Sequence, residues 1–344
     1  MKRAALLLLF ALPASAQSFA DGTAFGGSRV FSSGENPMGN AARFDQLPEG
    51  VYLGADWGDL TPHGFAQASS GLVAAEGDPT LLPSALSGLS RHPWAQREQR
   101  YGLAWAWTGG LRVGYTHEDS RGVFATTEPA SDNATLDARQ AVVDRLYAGA
   151  GSQAGRSALG FTVRVDRVRF GQDAAALQPL PGQASLGDPS APLNGLPLDH
   201  SVTSATVDLG YLFEFSQAVR GGITLDRLAG RRYGDIKEEP QARAGLQVDV
   251  TPSMRLALES DLNAAERLPF ARKARVSAAS LRLDLSGTAF LTIGAERRSF
   301  QDASAATTFG ASFHYRMAPL MLSFGLRLGD DRPFAAAAFR LPGG

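Results

Sequence analysis

Residues 241–263 alternate between apolar and polar side chains with a period of two. Ala242, Ala244, Leu246, Val248 and Val250 interleave with Arg243, Gly245, Gln247 and Asp249. After Thr251-Pro252-Ser253, Met254, Leu256, Leu258 and Leu262 interleave with Arg255, Ala257, Glu259 and Asp261. Alternation of this kind around a short polar turn predicts a β-hairpin. Each run lasts about ten residues, the length a tilted strand needs to cross a bilayer. One face is apolar and the other carries charges of both signs. A soluble sandwich buries the apolar face and wets the charges. A membrane barrel turns the apolar face to lipid and the charges to its lumen. The hairpin alone does not choose between them.

The same pattern predicts about fourteen strands: 51–57, 101–107, 111–118, 144–153, 157–170, 202–215, 219–228, 241–250, 254–263, 275–286, 289–300, 306–317, 320–328 and 334–341. Residues 137–147 suit a helix as well as the fourth strand. The connections sort by parity. Those after even-numbered strands are short (108–110, 216–218, 251–253, 287–288, 318–319), and those after odd-numbered strands are mostly long or charged (58–100, 119–143, 171–201, 229–240). That asymmetry belongs to outer-membrane barrels, whose short turns face the periplasm, and an even strand count returns both ends there. Trp105, Trp107, Phe213, Phe215, Tyr315 and Phe339 fall next to short turns or near the C-terminus, where an interfacial aromatic girdle sits. The fold class expected is all-β: a transmembrane antiparallel up-and-down β-barrel of about fourteen strands.

The N-terminus sets the compartment. Lys2 and Arg3 precede an apolar run from Ala4 to Leu12, and Ala14-Ser15-Ala16 has the small-x-small cleavage pattern. Residues 1–16 therefore read as a signal peptide, and the destination as the outer membrane of a Gram-negative (diderm) bacterium. Residues 17–50 lack any sustained period but carry Phe19, Phe25, Val30, Phe31 and Phe44, so they read as an irregular segment folded against something, and residues 51–344 as the barrel. The mean hydropathy of −0.11 suits a barrel rather than a helical membrane protein. A net charge of −1 without a basic cluster gives no case for nucleic acid, and the absence of cysteine excludes disulfides, thiolate metal sites and lipid attachment.

The run EEPQARAGLQVDVTPSMRLALESDLN, followed by AERLPF, SLRLDLS and LTIGAERRSF, resembles the outer-membrane β-barrels of the plasmid-transfer TraF-like family. These are similar in turn to PorV-type proteins and to the long-chain fatty-acid transporters (FadL-type). The close match covers roughly residues 209–300. It implies a fourteen-stranded barrel with an N-terminal plug, or hatch, in the lumen. Glu35-Asn36-Pro37 echoes an Asn-Pro stretch near the start of such proteins, although Met38-Gly39 follow here.

Alternation assigns Arg243, Asp249, Arg255, Glu259, Asp261, Arg282, Asp284, Glu296, Arg298, His314, Arg316 and Arg327 to the lumen face. These charges either rigidify the lumen through cross-strand pairs or line a pore and dock the plug. Arg29, Glu35, Asn36, Pro37 and Arg43 are the plug residues expected to meet them. His314 shares its face with Ser312, but no acidic orienter is identifiable for a Ser/His nucleophile, and no metal-ligand or nucleotide-binding spacing occurs. No catalytic residue, metal or cofactor is assigned. In the first long loop, Leu81, Leu82 and Leu86 belong to an apolar set that forms either a ligand-capturing surface or a cap on the barrel. The function expected is a plugged passive conduit for small hydrophobic compounds, with outer-membrane lipid and a hydrophobic small molecule as partners. The alternative is a non-transporting barrel that works with envelope-machine proteins of conjugation or secretion.

Overall fold

The computed structural model describes residues 30, 40–46, 49–60, 63–75, 77–107, 109–128, 133–177, 190–233, 236–266, 273–301, 305–317, 320–328 and 333–342. Among the described residues fourteen long strands follow one another: β1 (Gly50–Leu60), β2 (Trp94–Ala106), β3 (Leu111–Glu128), β4 (Asn133–Ala154), β5 (Ser157–Leu177), β6 (His200–Glu214) and β7 (Val219–Asp226) make the first half. β8 (Gln241–Thr251), β9 (Met254–Asp261), β10 (Lys273–Ser286), β11 (Ala289–Phe300), β12 (Ala306–Met317), β13 (Leu320–Leu328) and β14 (Pro333–Pro342) make the second. These strands pair antiparallel, each with its neighbours in sequence. β1 also pairs with β14, from Gly50↔Pro342 to Trp57↔Ala335, and β9 pairs with β10 from Met254↔Leu283 to Ser260↔Ser277. Each strand therefore has two partners, and the ring of pairings returns to its start.

The two faces separate as the alternation requires. On β5, Leu159, Phe161, Val163 and Val165 are 41–63% exposed, while Thr162, Arg164 and Asp166 between them are buried. On β8 and β9, Leu246, Val250 and Leu258 are exposed, and Arg243, Gln247, Glu259 and Asp261 are buried. Apolar side chains facing out and charges facing in are the arrangement of a barrel in lipid. Trp105 stacks on Trp107 with ring centroids 5.4 Å apart, and Phe213 meets Phe215 edge-on at 5.2 Å, both beside short turns. Ala154 and Ser157 pair across a two-residue turn in which Gly155 takes φ +60°, the conformation that such a tight hairpin needs.

Three connections differ from expectation. Residues 119–143 are not a long loop: β3 runs on to Glu128 and β4 starts at Asn133, so 137–147 is strand. Above the apolar band the outward positions turn polar (His117, Asp119, Arg121, Gln140), so hydrophobic alternation stops while the backbone stays extended. Residues 58–100 hold the ends of β1 and β2 and two helices, α1 (His63–Ala75) and α2 (Leu82–Arg91). Phe65, Ala68 and Leu72 of α1 and Leu82, Ala85, Leu86 and Leu89 of α2 form one buried cluster with Ala95, Val123, Ala125, Ala134, Leu136 and Ala138. Those wall residues point away from the lumen, so the helix pair leans on the outer side of the β2–β4 wall. Gly88 permits the crossing: a β-carbon there would lie 2.9 Å from that of Ala68. Between β7 and β8, residues 231–233 and 236–238 pair as a short hairpin.

Candidate functional site

Segments of the chain enter the lumen from both ends. At the short-turn end, the turn of 3₁₀-helix Ala41–Gln46 lies against the inner faces of β3 to β6. Glycines make the seat. A β-carbon on Gly151 would stand 2.0 Å from the Ala41 carbonyl oxygen, one on Gly160 2.2 Å from it, and one on Gly210 1.8 Å from Asn40 Oδ1. Arg112, fully buried, donates to the carbonyl oxygens of Phe44, Trp107 (2.8 Å) and Leu111 (2.6 Å), tying the segment to the wall at β3. Asn40 closes the turn by accepting from Ala42 N at 3.0 Å and donating to the Val30 carbonyl at 3.3 Å. Val30 N in turn donates to Glu259 Oε2 at 3.3 Å.

Near the long-loop end, the 231–238 hairpin turns inward. Arg231 is buried and donates to Asp166 of β5 and to Ser204 of β6 (3.5 Å). Asp166 also accepts from Arg145 Nε of β4 at 3.0 Å, and Arg164 meets Asp208 at 3.0 Å. Arg227 enters the hairpin with φ +57°, a region that non-glycine residues rarely occupy. Its amide donates to Asp208 Oδ1 at 2.7 Å and its guanidinium to Gln241 at 3.3 Å. Buried charges of this kind are tolerated only when paired and hydrogen-bonded. None of Arg112, Arg145, Arg164, Asp166, Asp208, Arg227 or Arg231 was singled out from sequence. The alternation VRVDRVRF on β5 carried the signal for two of them.

The assigned lumen residues mostly meet one another. Arg243 Nε donates to Asp261 at 2.7 Å and its Nη1 lies 4.0 Å from Glu259, while Asp261 also accepts from Val276 N at 2.8 Å. Asp249 accepts from Arg255 at 2.7 Å and pairs with Arg220 at 3.4 Å. Arg282 pairs with Asp284 at 2.9 Å and sits over the Phe290 ring, 3.7 Å from its centroid. His314 stacks on Phe290 at 4.1 Å and its Nε2 lies 3.0 Å from Ser312 Oγ. Glu296 and Arg298 approach at 3.5 Å. Arg316 and Arg327 lie on β12 and β13, in register with Met321 and Gly310, and their side chains lie outside the described residues. Arg29, Glu35, Asn36 and Pro37 lie outside the described residues. Of the loop leucines, Leu82 and Leu86 are buried within the helix pair, and Leu81 is 39% exposed at its turn.

Arg43, beside the glycine seat, borders a cavity of about 320 Å³ shared with Arg156, Arg220, Gln247, Arg255 and Glu214. Burial pushes its guanidinium down to about 10, and the charges of Arg255, Arg220 and Arg282 add to the fall while Glu259 opposes it. It stays protonated at neutral pH.

No family model and no curated protein matches the sequence. Solved structures do resemble it. A structure described as the CymD monoaromatic hydrocarbon channel superposes with a TM-score of 0.58 at 10% identity, covering 94% of this chain and 97% of that one. The toluene transporter TodX of P. putida gives 0.55 at 10% identity, and TbuX of Ralstonia pickettii 0.54 at 10%, each over 94% of this chain and 98% of the other. At that identity the likeness is one of fold. It extends along nearly the whole of both chains.

Proposed function

We propose that this chain is a passive outer-membrane conduit for small hydrophobic compounds, held closed to water and ions by two of its own segments. The observation that carries the reading is the doubly filled lumen. A fourteen-strand barrel with nothing inside would pass polar solutes, whereas here segment 40–46 and the 231–238 hairpin occupy it through polar contacts. Polar-to-polar docking lets such segments shift without unfolding the wall. The fold shared with channels described as carrying monoaromatic hydrocarbons and toluene supports an apolar cargo of that size. Residues 1–16 act in this reading as a cleaved signal peptide, and residues 17–50 as the plug. Export to the outer membrane of a diderm bacterium follows from the same reading.

The test is uptake of labelled toluene at low concentration by cells with and without the chain, alongside ion conductance of the purified protein in planar bilayers. Faster toluene uptake together with low resting conductance is the expected result. Unchanged uptake, with a loss of conjugation or secretion on deletion of the gene, would instead assign the barrel to an envelope machine.

A further inference from the structure

Two walls of the barrel touch across the lumen near the long-loop end. Going round the ring, β2 and β11 are separated by four strands on the shorter side (β1, β14, β13, β12) and by eight on the other. At about 4.8 Å per strand the shorter arc is about 24 Å. Yet Arg298 of β11 donates to Gln96 Oε1 of β2 at 3.0 Å. One layer nearer the rim, Trp94 of β2 and Phe300 of β11 have ring centroids 5.7 Å apart, and Phe124 of β3 meets Phe300 edge-on at 6.4 Å. All three rings are buried and cluster with Ala274 of β10. The barrel is therefore drawn together here by an aromatic layer above a polar one.

This contact divides the lumen. The sector bounded by β3 to β10 holds segment 40–46, the inward hairpin and the ion pairs around Asp166 and Arg243. The sector bounded by β11 to β14, β1 and β2 is lined in part by residues without side chains, since the pairings put Gly102, Gly310 and Gly325 on its lumen face. An apolar solute meets charged pairs in both sectors, Glu296–Arg298 among them, and an aromatic threshold at the edge of the second. Trp94 follows closely on the helix pair, since α2 ends at Arg91, and the Pro93 carbonyl before it accepts from Ala125 N of β3 at 2.6 Å.

We propose that Trp94, Phe124 and Phe300 form the shape-selective threshold of the conduit, with the Gln96–Arg298 contact as its latch. The proposal rests on the conduit reading and adds the residues that decide what passes. Tilted and edge-to-face rings at these separations hold one another through ring quadrupoles as well as buried area. A flat aromatic guest that parts Trp94 from Phe300 restores such a contact on each side, while a saturated ring of equal size restores only the area. The threshold therefore passes aromatic over saturated solutes, by a factor of about three to ten.

The experiment measures initial uptake of labelled toluene and methylcyclohexane by intact cells. Wild type, Trp94→Leu and Phe300→Leu are compared, with heat-modified gel mobility as the check on folding. Wild type is expected to favour toluene, and both folded variants to lose most of that ratio. A ratio unchanged in the variants overturns the threshold while leaving the conduit standing. No uptake of either solute by wild type overturns the conduit and the threshold with it. Because the chain has no cysteine, Gln96→Cys with Arg298→Cys in one chain gives a second arm that needs no core substitution. A short bis-maleimide across that pair should stop toluene uptake, and a mono-maleimide should spare it. Equal uptake after both reagents, with the cross-link verified by mass, sinks the latch.

Discussion

Gly160 has no room for a side chain, because a β-carbon there would meet the Ala41 carbonyl at 2.2 Å with backbone on both sides. Gly160→Val is expected to expel segment 40–46 from its seat without breaking the β5–β6 ladder. The measurement is planar-bilayer conductance, which should rise while heat-modified mobility stays that of a folded barrel. Unchanged conductance would mean that the segment is no barrier. Asp166 poses the opposite problem. It is the shared acceptor of Arg145 and Arg231, and Asp166→Asn leaves one buried and one half-buried guanidinium group short of a counter-charge. Breaking a buried pair in this way costs about 3–5 kcal/mol. The cost should appear as protease cleavage within 231–238 and a lower unfolding temperature. At this scale the sequence was partly legible. Alternation alone put Arg243, Glu259 and Asp261 on one face, and they meet there. It did not reveal the glycine seat, because Gly151, Gly160 and Gly210 read as ordinary strand glycines until the segment they receive is in place.

Strands were legible where lipid imposes a rule on one face and illegible where something else covers it. β8 to β11 alternate because their outward apolar residues, Leu246, Leu258, Leu285 and Ile293 among them, are exposed to the apolar band, and their observed bounds lie within about two residues of those expected. β3 and β4 rise past the apolar band, where His117, Asp119 and Arg121 face out, and the period fades. α1 and α2 carried a helical signal in Leu82, Leu86 and Leu89, which the serines and glycines around them diluted. Two expectations belong to this scale. Val163→Arg and Leu258→Arg each put a guanidinium on the lipid face, at about 2–4 kcal/mol if near mid-bilayer. Arg167→Leu, one outward position beyond Val165, should cost little. Denaturant unfolding in lipid vesicles separates these outcomes, and equal costs at 163 and 167 would move the edge of the membrane. Leu72→Ala or Leu89→Ala should cost the helix pair about 2–5 kcal/mol. That loss should be read as protease sensitivity in residues 63–91 with the barrel intact, because the pair is packed on the wall and contributes no strand to it.

In the conduit reading the molecule as a whole is a ring of paired strands with two stoppers, each tied to a different part of the wall. Segment 40–46 sits on glycines of β4 to β6 and is tied to Arg112, while the 231–238 hairpin is tied to Asp166 and Ser204, and none of the hydrogen bonds described joins one stopper to the other. Orientation is open to a clean test because native cysteine is absent. A cysteine at Arg232 should react with an impermeant maleimide on whole cells, and one at Pro252 or Gly287 only after the outer membrane is breached. The reverse pattern would invert the barrel. Anchoring at different strands has its own consequence. Deleting residues 19–46, or replacing 231–238 with a Gly-Ser turn, removes one obstruction and leaves the other tied to the wall. Each single change should therefore give a small, flickering conductance. Both together should give a large and steady one, since the emptied barrel no longer holds a segment that can swing back across the lumen. A single deletion that already matches the double would show that only one stopper bars ions, and would leave the other as bracing for the wall.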